Sequence, residues 1–201
     1  MTKPQTLIIA TNNANKAREF EAMLAKDDIA IKTLADFPAV PAIRENGITF
    51  EENATKKVTA VVAATGLPAI ADDSGLMVDA LHGDPGVFSA RYAGDHDDAA
   101  NNAKLLANLG GVPLEKRTAT FHTTLVALKP NGQKLVVNGE LAGRILIAPR
   151  GHNGFGYDPL FWTAKYDRSL AELTAAQKNA ISHRGAALRK LMTKFDEWWS
   201  N

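Results

Sequence analysis

The 201-residue chain contains no cysteine. That single absence removes a disulfide framework, a thiolate zinc site, an iron–sulfur cluster and a cysteine nucleophile, so any chemistry must use oxygen, nitrogen or a hard metal. No apolar run approaches the roughly 18 residues of a membrane span, and the first ten residues lack the apolar core and cleavage site of a signal peptide. The expectation is a cytoplasmic protein with no membrane partner. An excess of charge of one sign is missing too: 23 Lys+Arg against 22 Asp+Glu leave a net +1, which argues against nucleic acid as a partner held by phosphate electrostatics. With 45% hydrophobic and 22% charged residues, 15 Gly and 9 Pro, the composition is that of an ordinary globular protein and excludes collagen, coiled coil and wholesale disorder. There is no internal repeat and no linker long enough to separate a second domain from the first. Residues 1–201 therefore read as one domain.

The charge that is present is unevenly spread. Residues 1–100 carry 9 Lys+Arg against 15 Asp+Glu, a net −6, and residues 101–201 carry 14 against 7, a net +7. An acidic half can hold a metal and a basic half an anion, although two oppositely charged halves can also simply attract.

Local patterns predict a mixed α/β order of elements. A short strand over 6–10 ends in a polar turn, after which Ala17, Phe20 and Leu24 recur at helical spacing. Thr49 and Glu52 form a capping-box pattern ahead of Ala54, Val58, Val61 and Val62, with Gly66 as the stop, and Asn53 and Lys57 share one face of that helix. A buried strand over 67–71 is expected to run into a turn at Asp72-Asp73-Ser74-Gly75 before an apolar run over 76–81. Asp97 or Asp98 can cap a helix reaching Leu109. Residues 119–128 and 134–139 form a hairpin about Lys129-Pro130-Asn131-Gly132, and a further β-branched run covers 144–148. Thr174 with Gln177 repeats the capping box, and Ser182 can cap a last helix reaching Trp199.

Five places carry candidate chemistry. The turn Thr11-Asn12-Asn13-Ala14-Asn15-Lys16 enters a helix, where free N–H groups, the helix dipole and Lys16 suit a phosphate; Asn as an ordinary N-cap is the plainer alternative. Asp72-Asp73 places two carboxylates together, which suits Mg²⁺ bridging to phosphates, or a turn without metal. Lys56 and Lys57 could be a solvated helix face. The loop Gly151-His152-Asn153-Gly154-Phe155-Gly156-Tyr157-Asp158-Pro159 holds two aromatics that are costly to expose, and an aromatic with close backbone access suits a flat base. Ser182-His183-Arg184 puts positive charge at a helix N-terminus, which opposes the dipole unless an electron-rich ligand edge is near. Asp95-His96-Asp97-Asp98 has metal-cluster composition but sits where acids cap. His122 reads as structural and Trp198-Trp199 as packing.

Four of these motifs in order, Thr11-Asn12-Asn13-Ala14-Asn15-Lys16, Ala71-Asp72-Asp73-Ser74-Gly75, Phe155-Gly156-Tyr157-Asp158-Pro159 and Ser182-His183-Arg184-Gly185, closely resemble the non-canonical purine NTP pyrophosphatase family, also called the inosine triphosphatase or XTP/dITP diphosphatase family. The likeness runs from about residue 6 to residue 195. It implies an elongated mixed α/β fold with a long central mixed β-sheet, two lobes and an active-site cleft between them, and a homodimer. It also implies Mg²⁺-dependent hydrolysis of ITP, dITP and XTP to the monophosphate and pyrophosphate. By that likeness Thr11, Asn12, Asn13, Ala14, Asn15, Lys16 and Lys57 hold the triphosphate, and Ser74 also touches substrate. Glu45 and Asp72 hold metal, and Asp73 is the general base and a metal ligand as well. Phe155, Gly156, Tyr157, Asp158, Lys178, His183 and Arg184 hold the base. The family often has Gly where Asn12 and Asn15 stand, and Asn is the tolerable substitute if either needs positive φ. A sensor that binds a purine nucleotide without turnover is the alternative; it would not need Asp73. A phosphatase of the Asp-x-Asp type is not indicated, because that spacing is absent at Asp72-Asp73.

Overall fold

Side chains alternate between the two faces of a strand, and that alternation decides which helix each residue of the sheet meets. The computed structural model describes residues 5–24 and 29–200. Gln5–Ile9 forms β1, which pairs in parallel with β2 (Ile29–Thr33) on one side and with β3 (Ala69–Val78) on the other. Parallel neighbours need crossover connections. Helices α1 (Ala14–Leu24) and α2 (Phe50–Thr65) lie in the two connections. Leu7, Ile9 and Ile70 pack with Phe20 and Leu24 of α1 and with Leu188, Leu191 and Phe195, whereas Ile8, Ala10, Ala69 and Ala71 pack with Ala54, Val58 and Val61 of α2. Both faces are covered, which is why these strands read as continuous apolar runs.

Four further strands complete one mixed sheet: β4 (Thr118–Leu128), β5 (Lys134–Ile145), β6 (Phe161–Thr163) and β7 (Arg168–Ser169), in the order β2-β1-β3-β4-β5-β6-β7. The pairs β5–β6 and β6–β7 are antiparallel. The remaining helices are α3 (Asp98–Asn108), α4 (Ala175–Ile181) and α5 (His183–Ser200). Their caps are those the sequence signals: Asp97 accepts from the Ala100 amide, Thr174 and Gln177 form a full capping box, and Ser182 Oγ accepts from the Gly185 amide. At α2, Thr49 accepts from the Glu52 amide and Gly66 closes the helix at φ +67°. No helix of the described residues is long and apolar enough to cross a membrane.

Two expectations are corrected. No turn occurs at Asp72-Asp73-Ser74-Gly75; β3 continues through all four residues to Val78. The extended chain sends successive carboxylates to opposite faces, where each meets a lysine, and this outweighs the local turn preference of Asp, Ser and Gly. The run at 144–148 is not separate, because Arg144 and Ile145 end β5 itself. Gly143 lets β6 approach there, since a Cβ would collide with the Trp162 carbonyl and lie 2.6 Å from the Phe161 ring.

The chain forms two compact units. One holds the described residues up to Asp73 with Thr124–Gly139 and those from Ala187 on; the other holds Ser74–Thr123 and Glu140–Ala186. The divisions fall inside β3, β4, β5 and α5 rather than in linkers. The core of the second unit gathers Leu76, Leu105, Leu109, Phe121, Tyr157, Phe161 and Leu170.

Candidate active site

In the first unit the loop after β1 is organised by its own side chains. Thr11 Oγ1 accepts from the Asn13 amide at 3.1 Å, and Asn13 Oδ1 accepts from the amides of Asn15 and Lys16 at 2.9 and 3.2 Å. Asn13 is thus the N-cap of α1, and an anion at this corner would share or replace that cap. Lys16 lies in the first turn of α1, with its Nζ 2.8 Å from Asp72 Oδ2.

Asp73 faces the other way. It continues the Ala69–Ala71 face toward α2, where Lys57 Nζ donates to its Oδ1 at 3.2 Å and Asn53 Nδ2 donates to its Oδ2 at 3.1 Å. Lys57 also donates to Glu45 Oε2 at 3.1 Å, so one ammonium draws two carboxylates together. Burial pushes Asp73 up to about 6, the lysines Lys57 and Lys16 pull against that shift, and the Glu45 charge adds to it. Burial is the largest influence on Glu45 as well, but Lys57, Lys16 and a hydrogen bond with Asp73 together outweigh it and leave Glu45 below its ordinary value. The two acids differ because Glu45 keeps 38% of its side chain exposed and Asp73 only 8%. Burial alone would lower Lys57, yet Asp73, Asp72 and Glu45 together hold it above its usual value.

The structure therefore brings Glu45, Lys57 and Asp73 together and sets Asp72 with Lys16. Hard oxygen donors in a pair suit Mg²⁺, which binds through one or two carboxylates and takes its other ligands from water and phosphate. No cage of three or more acidic or histidine side chains occurs among the described residues, and such binding needs none.

In the second unit Phe155, Lys178 and Arg184 form one cluster. Lys178 Nζ lies 4.5 Å and Arg184 Cζ 5.8 Å from the centre of the Phe155 ring. Asp158 Oδ2 accepts from Lys178 Nζ at 2.7 Å and from the Phe155 amide at 2.9 Å, so one carboxylate fixes both the cation and the turn. Gly154, at φ +79°, has no room for a Cβ against Asp158. Arg184, 2% exposed, donates to Ser74 Oγ at 3.4 Å, and Ser74 Oγ shares a hydrogen with Thr123 Oγ1 at 2.5 Å. His183 stacks on Phe121 with ring centres 4.7 Å apart. Tyr157 is placed in the hydrophobic core, its hydroxyl donating to the Ser89 carbonyl at 2.8 Å, and burial holds its phenol well above the ordinary value. Its ring anchors the loop.

Comparison with known proteins assigns the chain. The Ham1 family model matches residues 7–194. The chain belongs to the Ham1 family. A dITP/XTP pyrophosphatase of Lactiplantibacillus plantarum is 86% identical over 100% of this chain and 99% of that protein, and one of Lactobacillus johnsonii is 53% identical over 96% of each. The solved structure of a HAM1 protein from Coxiella burnetii is 42% identical, with a TM-score of 0.87 over 96% of this chain and 99% of its own.

Within this Ham1 chain some expected roles move. Asn12 and Asn15 do not have positive φ; among the described non-glycine residues only His82, His96 and Asp167 do. Asn15 lies in α1, where its Oδ1 accepts from Arg18. Lys56 bonds to Asn46 Oδ1, away from the Asp73 group. His122 pairs with Glu140, Trp199 stacks on Phe195, and Trp198 lies tilted against both rings, so these residues serve as packing. Asp97 caps α3. Its neighbour Asp98 accepts from the Gly156 amide at 2.6 Å, while Asn102 donates to the Gly156 carbonyl at 2.9 Å. The Ham1 loop around Phe155 is thus held at both polar atoms of one peptide residue by two side chains one helical turn apart. The sequence reading missed Asn102, and its i,i+4 spacing from Asp98 was the only available signal.

Proposed function

We propose that the chain hydrolyses deaminated purine nucleoside triphosphates, ITP, dITP and XTP, between the α and β phosphates, and that Asp73 is the base. The observation that carries the reading is a buried carboxyl gripped on its two oxygens by Lys57 and Asn53, which burial pushes up to about 6. Such a group is largely ionised at neutral pH yet basic enough to take a proton from water.

Water attacks the α phosphorus and gives its proton to Asp73, the bond from that phosphorus to the α,β-bridging oxygen breaks, and pyrophosphate departs with the electron pair. Lys16 and Lys57 stand among carboxylates and can turn to the triphosphate, offsetting the charge that grows on the leaving group. Mg²⁺, held by Glu45 and Asp73 when bound, would neutralise phosphate oxygens. Asp72, a metal ligand by the resemblance, lies on the opposite face of β3 from Asp73 and in this reading keeps Lys16 in place. Phe155 offers a face for the base. Arg184 donates to O6, an acceptor in hypoxanthine and xanthine; adenine carries an amino donor at that position and would set donor against donor at the buried guanidinium. In this reading the protein works as a cytoplasmic homodimer on the free nucleotide pool.

The experiment is a product assay on ITP, dITP, XTP and the four standard NTPs, with pyrophosphate and orthophosphate measured separately. Pyrophosphate should form stoichiometrically from the deaminated substrates, cease on chelation and return with Mg²⁺ better than with Ca²⁺. Orthophosphate with accumulating IDP would overturn the attack site.

A further inference from the structure

Asn53 is fully buried one turn before Lys57 on α2, and its amide has two partners that differ in kind. Its Oδ1 accepts from the Gly47 amide at 2.7 Å, and its Nδ2 donates to Asp73 Oδ2 at 3.1 Å. A backbone N–H can only donate and a carboxylate can only accept, so the amide has one allowed orientation. Gly47 is held against it: a Cβ there would lie 2.7 Å from Asn53 Oδ1 and 2.8 Å from Glu52 Cβ. Gly47 follows Glu45 by two residues. One side chain therefore ties the Glu45 loop to the Asp73 carboxylate. With Lys57 on Oδ1 and Asn53 on Oδ2, both oxygens of Asp73 are met by donors four residues apart on a single helix, and of the two only the uncharged Asn53 has no reason to leave for a phosphate.

We infer that Asn53 is a positioning residue of the reaction, holding the Asp73 carboxylate in the orientation that receives the proton of the attacking water. The inference rests on Asp73 as base. Asn53 touches neither water nor nucleotide and acts through Asp73, so its effect must vanish when Asp73 can no longer act.

The test is a double-mutant cycle on the full chain with ITP. Asn53→Leu should lower kcat by about 10- to 100-fold with KM changed less than about threefold, and in an Asp73→Asn background it should change the residual rate less than about twofold. Asn53→Asp keeps an acceptor for Gly47 but faces Asp73 with a second carboxylate; it should lower kcat at least as much as Asn53→Leu, and it carries the test if Asn53→Leu does not fold. A second readout needs no turnover: in the metal-free protein the Asn53 side-chain amide protons should exchange slowly and lose that protection in Asp73→Ala, which removes their acceptor. Equal kcat losses from Asn53→Leu in both backgrounds, or a loss confined to KM, would overturn the inference alone. Wild-type turnover in Asp73→Asn would overturn the base assignment and the inference with it.

Discussion

Around Asp73 the groups assigned to the chemistry hold one another: Lys57 bridges Glu45 and Asp73, and Lys16 answers Asp72. Around Phe155 much of the holding is done by bonds to the main chain. Asp98 and Asn102 take the two polar atoms of Gly156, Asp158 takes the Phe155 amide, and the Tyr157 hydroxyl takes the Ser89 carbonyl. The first arrangement leaves charged groups whose partners can be exchanged for phosphate and metal. The second fixes a surface before any ligand arrives, which lowers the ordering cost of binding. Damage in the first unit should therefore appear in kcat and damage in the second in KM and selectivity.

The sharpest way to break that contrast is Asp73→Asn. It should lower kcat by about 10²-fold or more, the range for a lost general base, with little change in KM. Steady-state kinetics on ITP check it, and a loss seen mainly in KM would erase the distinction between the two regions. Arg184→Ala comes next. It should narrow the ITP-to-ATP ratio of kcat/KM by about tenfold or more, because only the O6-bearing bases lose a matched donor. Equal losses for ITP and ATP would make Arg184 a structural or phosphate-binding residue. The smallest expected effect is that of Asn102→Ala, which removes one hydrogen bond to the Gly156 carbonyl. It should raise KM about two- to fivefold and leave kcat unchanged; a fall in kcat would show that the loop does more than hold the base.

What could be read from the sequence was local. The stops and caps at Thr49, Gly66, Asp97 and Thr174 involve neighbours within a few residues, and each helix is found where they place it. The turn expected at Asp72-Asp73-Ser74-Gly75 failed for the opposite reason. Its extended form is held by Lys16 and Lys57, which no short window contains. The same limit hid the separation of Asp72 from Asp73 onto different faces, because adjacency in a turn and adjacency in a strand have opposite consequences. Tyr157 looked like a partner of Phe155 until Ser89, 68 residues away, accepted its hydroxyl. The four motifs conveyed the reaction through their resemblance to a family, whereas the supports behind them, Asn53 for Asp73 and Asp98 with Asn102 for Gly156, depend on contacts 20, 58 and 54 residues apart.

The division of labour between the two regions is tested most directly by equilibrium binding of inosine 5′-(α,β-imido)triphosphate, which cannot be cleaved at the scissile position, to the wild type, Asp73→Asn and Arg184→Ala at Mg²⁺ concentrations that saturate each variant. The account predicts that Asp73→Asn binds within about threefold of wild type while Arg184→Ala loses about tenfold or more. Loss of affinity by the same factor in both variants would contradict it.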